Sequence, residues 1–234
     1  MAATLTGCSV YHPQSVDIPL ISHQGEVKVD GSLGMSASIA FVDAINMNLT
    51  ASAGLNDWLA AQVHANYGGD NYYMQVAPGY YHQLGEKSVM ECYAGVGFGG
   101  SGRDKVSANE SSSSLIQDYN FDGHYVLPFM QGNIGWHDLT AAHIDLGFGM
   151  KVGAFMPDYR YQPLDKNGVE IASKTTNYTT TNLLLEPQVI VRFGLERVRF
   201  NVKMGFAWLN DVTVTLDHFN YDWFTLSGGL TFVF

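Results

Sequence analysis

Two histidines stand where a catalytic base would be useful. His143 lies two residues before Asp145, and His64 falls on the polar face of an alternating segment. A histidine steadied by a carboxylate is half of an acyl-transfer or hydrolytic site. The other half is a nucleophile within hydrogen-bond reach, and no motif supplies one. There is no G-x-S-x-G elbow and no H-E-x-x-H helix, so no catalytic residue is assigned and the chain is not expected to be an enzyme. His137-Asp138 and Asp217-His218 read as turn residues, because a metal site needs three or four convergent ligands; no metal is expected. Gly97, Gly99, Gly100 and Gly102 are spaced loosely like a phosphate loop, but no helical pattern follows them.

A second set of residues points to structure instead. Glu26, Asp30, Glu91, Asp145 and Glu186 are matched by Lys28, Lys151, Arg192, Arg199 and Lys203, five acids against five bases. All ten fall on the polar faces of alternating segments. Charges held away from water must be paired. If these faces line a narrow interior, the ten residues form a salt-bridged plug.

The elements that would carry them are strands. Val198, Phe200, Val202, Met204, Phe206 and Trp208 alternate with Arg199, Asn201, Lys203, Gly205 and Ala207, the period of a strand with two unlike faces. Ile144, Leu146, Phe148, Met150 and Val152 do the same in 142–155, and Tyr72, Met74, Val76, Pro78 and Tyr80 in 71–84. Seven further segments share the split: 26–41, 44–54, 58–68, 88–100, 124–136, 182–194 and 222–234. The expectation is an all-β, antiparallel up-and-down transmembrane barrel of about ten strands, with eight as the alternative. Long connections are expected at 101–123, 156–181 and 210–221, and tight turns at 84–87 and 194–197. Long and short then alternate as they do between the two ends of bacterial barrels.

Ring count decides which face is outside. Phe41, Tyr72, Tyr80, Phe98, Trp136, Phe148, Phe155, Phe193, Phe200, Phe206, Trp208, Phe224, Phe232 and Phe234 are too many for a narrow interior. Gly34, Gly95, Gly97, Gly99, Gly147, Gly149, Gly205 and Gly229 on the opposite face suit one. The apolar face therefore meets lipid. Trp136, Tyr72, Tyr80, Trp208 and Phe234 fall near strand ends, where amphipathic rings favour headgroups. Cys92 lies mid-strand on the apolar face.

Composition agrees. Only 15% of the 234 residues are charged while 46% are hydrophobic; a soluble domain is about 25% charged. A net charge of −10 without a basic run excludes nucleic acid as a partner. No run of about 18 apolar residues exists, so any crossing of a membrane is by closed strands.

Leu5-Thr6-Gly7-Cys8 resembles the lipobox of bacterial lipoproteins. The resemblance implies that Cys8 carries a covalent lipid and that no other cofactor is needed. The charged and apolar parts of a secretory signal would precede this sequence. Residues 1–24 are then a lipobox remnant and irregular tether, able to tuck into the barrel mouth, and 25–234 the barrel. The ending Leu230-Thr-Phe232-Val-Phe234 resembles the C-terminal signal read by outer-membrane insertion machinery, with Phe232 and Phe234 as its rings.

With Tyr11-His-Pro13, Ile18-Pro-Leu20 and Gly25-Glu26-Val27, the whole chain is similar to small lipobox-bearing barrels of Bacteroidetes-type bacteria. The likeness implies a Gram-negative outer membrane with a lipid-anchored N-terminus. The expected role is an accessory or scaffold subunit of a transport, secretion or assembly complex, in contact with lipid and one or more membrane proteins. A narrow pore and a lipid-modifying enzyme are the alternatives.

Overall fold

The computed structural model describes residues 8–13, 18–37, 42–107, 118–210 and 219–234. Ten strands build the wall. The first five are β1 (Val27–Ala37), β2 (Val42–Gly54), β3 (Leu59–Gly68), β4 (Asn71–Gln83) and β5 (Ser88–Ser107). The rest are β6 (Asp118–Trp136), β7 (Asp145–Leu164), β8 (Asn182–Gly194), β9 (Val198–Phe206) and β10 (Phe224–Val233). Each pairs antiparallel with its chain neighbour, and β10 returns to β1, from Phe224 opposite Ala37 to Val233 opposite Lys28. Val27 and Phe234 exchange backbone hydrogen bonds of 3.1 and 2.9 Å at the end of that seam. Among the described residues closure leaves no unpaired edge strand, the condition for a sheet to cross lipid. The up-and-down order and the count of ten agree with the sequence pattern; the eight-strand alternative falls away.

Alternation runs in the direction expected. Along β9, Arg199, Asn201 and Lys203 are buried in the lumen while Val198, Phe200, Val202, Met204 and Phe206 are exposed. Met47, Met74 and Met130, on three other strands, are 64%, 63% and 62% exposed. Each such side chain forgoes about 1.5–3 kcal/mol if it faces water. A wall of them is stable only against lipid. Rings cluster toward the ends of the wall. Trp58 and Tyr80 meet at 6.5 Å near one rim, and Phe206 stacks on Trp223 at 5.8 Å near the other. Cys92 is an exposed free thiol on the lipid side.

Two expectations need correction. Phe155 is not on the lipid face: it is fully buried in the lumen, and Ala154 points outward in its place. The outward parity of Met150 and Val152 runs through Ala154, so Phe155 is an inward ring. The expected loops 101–123 and 156–181 are also partly strand, because β5, β6 and β7 run on to Ser107, back from Asp118, and to Leu164. In these extensions the alternation continues with its polarity reversed. Tyr119, Phe121, Tyr159 and Tyr161 face in, while Asp122, Asp158 and Arg160 face out. An outer face that turns from Met130 to Asp122 along one strand has left the hydrocarbon. Phe41 lies outside the described residues.

The two ends of the barrel differ. Connections 55–58, 84–87, 137–144 and 195–197, with both termini of the wall, gather at one end. The other end carries the strand ends Ala37 and Val42, Ser107 and Asp118, and Phe206 and Phe224, with the connections 69–70 and 165–181.

Candidate functional site

The described part of the N-terminal segment takes the second of the two courses its sequence allows, tucked in and not loose. It lies inside the barrel and changes depth along its length. At the long-loop end, Cys8–Tyr11 forms a short parallel strand with Phe219–Tyr221, which belongs to the connection between β9 and β10. The Asp222 amide donates to the Tyr11 carbonyl at 3.0 Å. The Tyr11 ring is fully buried, edge-on to Tyr125 and Phe155 at 5.6 and 5.2 Å, and its hydroxyl donates to Glu186 at 2.7 Å. His12 contacts Asp222 at 2.5 Å and Ser36 at 3.2 Å, both through Nδ1. Through Nδ1 the ring ties the segment to Asp222 after the short parallel strand and to Ser36 on β1.

Residues 18–25 continue toward the short-turn end. Ile18, Leu20 and Ile21 are completely buried. They occupy room left by glycines on the facing strands. A Cβ at Gly147 would stand 2.9 Å from Ile18 Cγ2, one at Gly135 2.6 Å from Leu20 Cδ2, and one at Gly54 2.9 Å from Ile21 Cγ2. Gly25, at φ +83°, makes the turn into β1, a left-handed backbone that glycine adopts without strain. Leu20 is left-handed too, at φ 55°, which costs a non-glycine residue about 1–3 kcal/mol unless its surroundings hold it there.

Wall charges supply that hold. Arg192 Nη2 donates to the Ile18 carbonyl at 2.7 Å, and Lys28 Nζ to the Pro19 and Leu20 carbonyls at 3.0 and 2.7 Å. From the opposite sign, Glu91 accepts the Ile21 amide at 2.7 Å, and Glu26 accepts the Ser22 amide at 2.6 Å. Gln83 Nε2 donates to the Ser22 carbonyl at 2.6 Å. The segment has no sheet partners here, so its buried backbone groups need side-chain partners. Charged ones make the stronger bonds.

The ten charges expected to form a plug are all buried, but they divide by task. Lys203 pairs with Asp30, Arg199 with Asp145 at 2.6 Å, Lys28 with Glu26 at 3.0 Å and Lys151 with Glu186 at 3.7 Å. Asn201 and Thr231 also donate to Asp30, at 2.7 and 2.8 Å. Lys151 lies 4.7 Å over the Phe129 ring and donates to Gln75 at 2.8 Å. Lys28 and Glu26 also grip the threaded backbone, as do Arg192 and Glu91. Asp138, legible in the sequence only as a turn residue beside His137, also joins Arg199 at 3.0 Å. Its side chain is contributed by a turn, where alternation gives no parity to read.

The two histidines singled out in the sequence have other partners than Asp145. His143 contacts Asp138 at 2.7 Å and not Asp145, and His64 pairs its Nδ1 with the Thr50 hydroxyl at 2.8 Å. Burial alone would raise the Asp138 carboxyl, but the His143 hydrogen bond and the Arg199 charge hold it below the usual carboxylate range. Gly97 and Gly99 are strand residues that make space for the Tyr73 and Tyr125 rings, not a phosphate loop. Among the described residues, no three of His, Cys, Asp or Glu are grouped to hold a metal ion. Phe232 and Phe234 are 39% and 73% exposed on the outer wall at the short-turn end. Asp217 and His218 lie outside the described residues.

No protein-family model matches the sequence, and no curated protein matches it. Among solved structures, the chain is similar to OmpT, an outer membrane protein of Vibrio cholerae. Identity is 8% and TM-score 0.22 over 93% of this chain and 100% of that one. Its loop L8 deletion mutant matches at 8% identity and TM-score 0.22 over 91% and 99%. Likeness at that level carries no functional argument, and the barrel stands on its own closed hydrogen-bond ladder.

Proposed function

We propose that this chain is an outer-membrane barrel lipoprotein of a Gram-negative, Bacteroidetes-type bacterium. In this reading it acts as a solid accessory or scaffold subunit of a larger membrane complex, for transport, secretion or assembly. The observation that carries the reading is the filled lumen. Arg192, Lys151, Tyr73, Tyr93, Ile18, Leu20 and Ile21 are all fully buried inside a wall that is itself wrapped in exposed apolar side chains. Eight-stranded barrels are just filled by their own side chains and open channels appear near sixteen strands. A barrel of ten has room for one extra stretch of chain, and residues 18–21 occupy it. What such a body offers to other molecules is its wall, its loops and its N-terminal end. Outer-membrane lipid covers the wall, Cys8 carries a covalent lipid, and a protein partner meets the rest.

Affinity isolation from native membranes in mild detergent tests this. A partner recovered in fixed stoichiometry and identified by mass spectrometry supports a subunit role. Recovery of the barrel alone, under conditions that preserve other membrane complexes, removes it.

A further inference from the structure

The path of the N-terminal segment has a direction. It enters β1 at the end that carries both wall termini, yet Cys8–Tyr11 pairs with Phe219–Tyr221 at the opposite end, where the three longest connections, 108–117, 165–181 and 207–223, join the strands. Bacterial barrels keep short turns on the periplasmic side and long loops outside. We infer that the segment crosses the membrane through the lumen of its own barrel, so that the N-terminal end emerges at the cell surface and a lipid on Cys8 enters the outer leaflet. The leaflet assignment rests on the reading of Cys8 as lipidated; the crossing does not.

Three independent features support the crossing. Tyr11 is fixed high in the lumen by Tyr125, Phe155 and Glu186. Ile18 is fixed lower, against Gly147 and Gly149 and under Arg192. Ile21 and Ser22 are fixed near the short-turn rim by Glu91 and Gln83. Contacts at three depths, in chain order, describe a thread and not a cap resting on one mouth. The occupant of the outer leaflet is an acyl chain, because the lipobox chemistry places acyl groups on the cysteine. The parallel strand pairing then ties that anchor to the β9–β10 connection instead of to a flexible leash.

The full-length protein, expressed in its membrane, gives the test in three measurements. An epitope inserted between Cys8 and Ser9 is probed with antibody on intact and permeabilised cells, beside a second epitope in the exposed Asp165–Gly168 turn. The expected result is equal staining of both in the two preparations. Staining of either epitope only after permeabilisation overturns the proposal. The pair I18C and G147C reports the thread itself, since a Cβ at Gly147 lies 3.5 Å from Ile18 Cβ, inside the disulfide range. A cross-linked peptide from native membranes supports the crossing, and its absence under oxidation overturns it. Mass spectrometry of the N-terminal peptide separates the two readings. An unacylated Cys8 removes the lipid reading and the leaflet assignment with it, while the epitopes and the cross-link still decide the crossing.

Discussion

Arg192 on β8 and Ile18 in the threaded segment are 174 positions apart in the chain, and the guanidinium of one donates to the carbonyl of the other at 2.7 Å. The same arginine reaches Thr231 on β10 at 3.3 Å. It thereby links the interior segment, the wall and the last strand. Arg192→Met keeps bulk but removes the donor to the buried Ile18 carbonyl. Hydrogen bonds to charged groups contribute about 1.5–3 kcal/mol each, so the heat-induced mobility shift of the purified barrel is expected at a clearly lower temperature. A variant as heat-resistant as wild type would show that the thread is held by other means.

Gly147 tests the fit of the thread from the wall side. Gly147→Ala places a methyl group 2.9 Å from Ile18 Cγ2 and equally close to Ile190 Cγ2. Overpacking of this kind costs about 1–3 kcal/mol. Ile18→Ala in the same chain removes one of the two clashes and should restore part of that loss. The coupling is read as non-additive shifts in the unfolding transition; strictly additive losses would place Ile18 away from Gly147.

Met150→Arg should block assembly, because Met150 faces lipid and a cation at mid-membrane costs about 2–4 kcal/mol. From sequence alone, Gln75→Arg is the natural mild control. The structure changes that choice: Gln75 accepts from Lys151 at 2.8 Å, so an arginine there would oppose a buried cation. Gln75→Glu retains the acceptor oxygens and is the expected mild variant. Membrane-fraction yields separate the pair, and equal yields would contradict the assignment of faces.

In planar bilayers the intact protein should be electrically silent. Deleting residues 9–21 withdraws Tyr11, Ile18, Leu20 and Ile21 from the lumen and should give a small, noisy conductance. Steady conductance from the intact chain would instead favour a pore.

Acid should loosen the turn at 137–144. The Asp138 carboxyl is held below its ordinary value by His143 and Arg199 against the upward pull of burial. A group depressed in the folded state contributes its stability above the unfolded pKa, about 3.9 for Asp, and loses it as pH falls through the folded value. Proteolytic nicking of this turn should therefore rise below about pH 4, and Asp138→Asn should be nicked alike above and below that pH.

The wall was legible because parity is a long-range constraint: once Val198 faces out, Phe200 through Phe206 must follow. Parity also contained the answer for Phe155, which lies one step out of phase with Val152. The strand extensions are hidden in the sequence because their alternation inverts above the hydrocarbon, where Tyr119 and Phe121 face in and Asp122 faces out. The thread was harder. Ile18, Leu20 and Ile21 are apolar residues in a stretch read as a tether, and Gly147 and Gly149 are two small inward residues on one strand. Each half was visible, but nothing local connects a groove to the segment that fills it. The backbone grip of Arg192, Lys28 and Glu91 is invisible to a count of opposite charges, since carbonyl and amide partners belong to every residue alike.

The seam between β1 and β10 imposes an order of events. Bringing Phe232 opposite Val29 closes a loop of nearly the whole chain, the slowest kind of contact to form. Once that ladder is zipped, the described lumen side chains, Arg192, Lys151, Tyr73 and Tyr93 among them, are fully buried and stand in the way of Tyr11 passing from one rim to the other. The segment is therefore laid down while the sheet is still an open, curling ribbon, and the ribbon rolls shut around it.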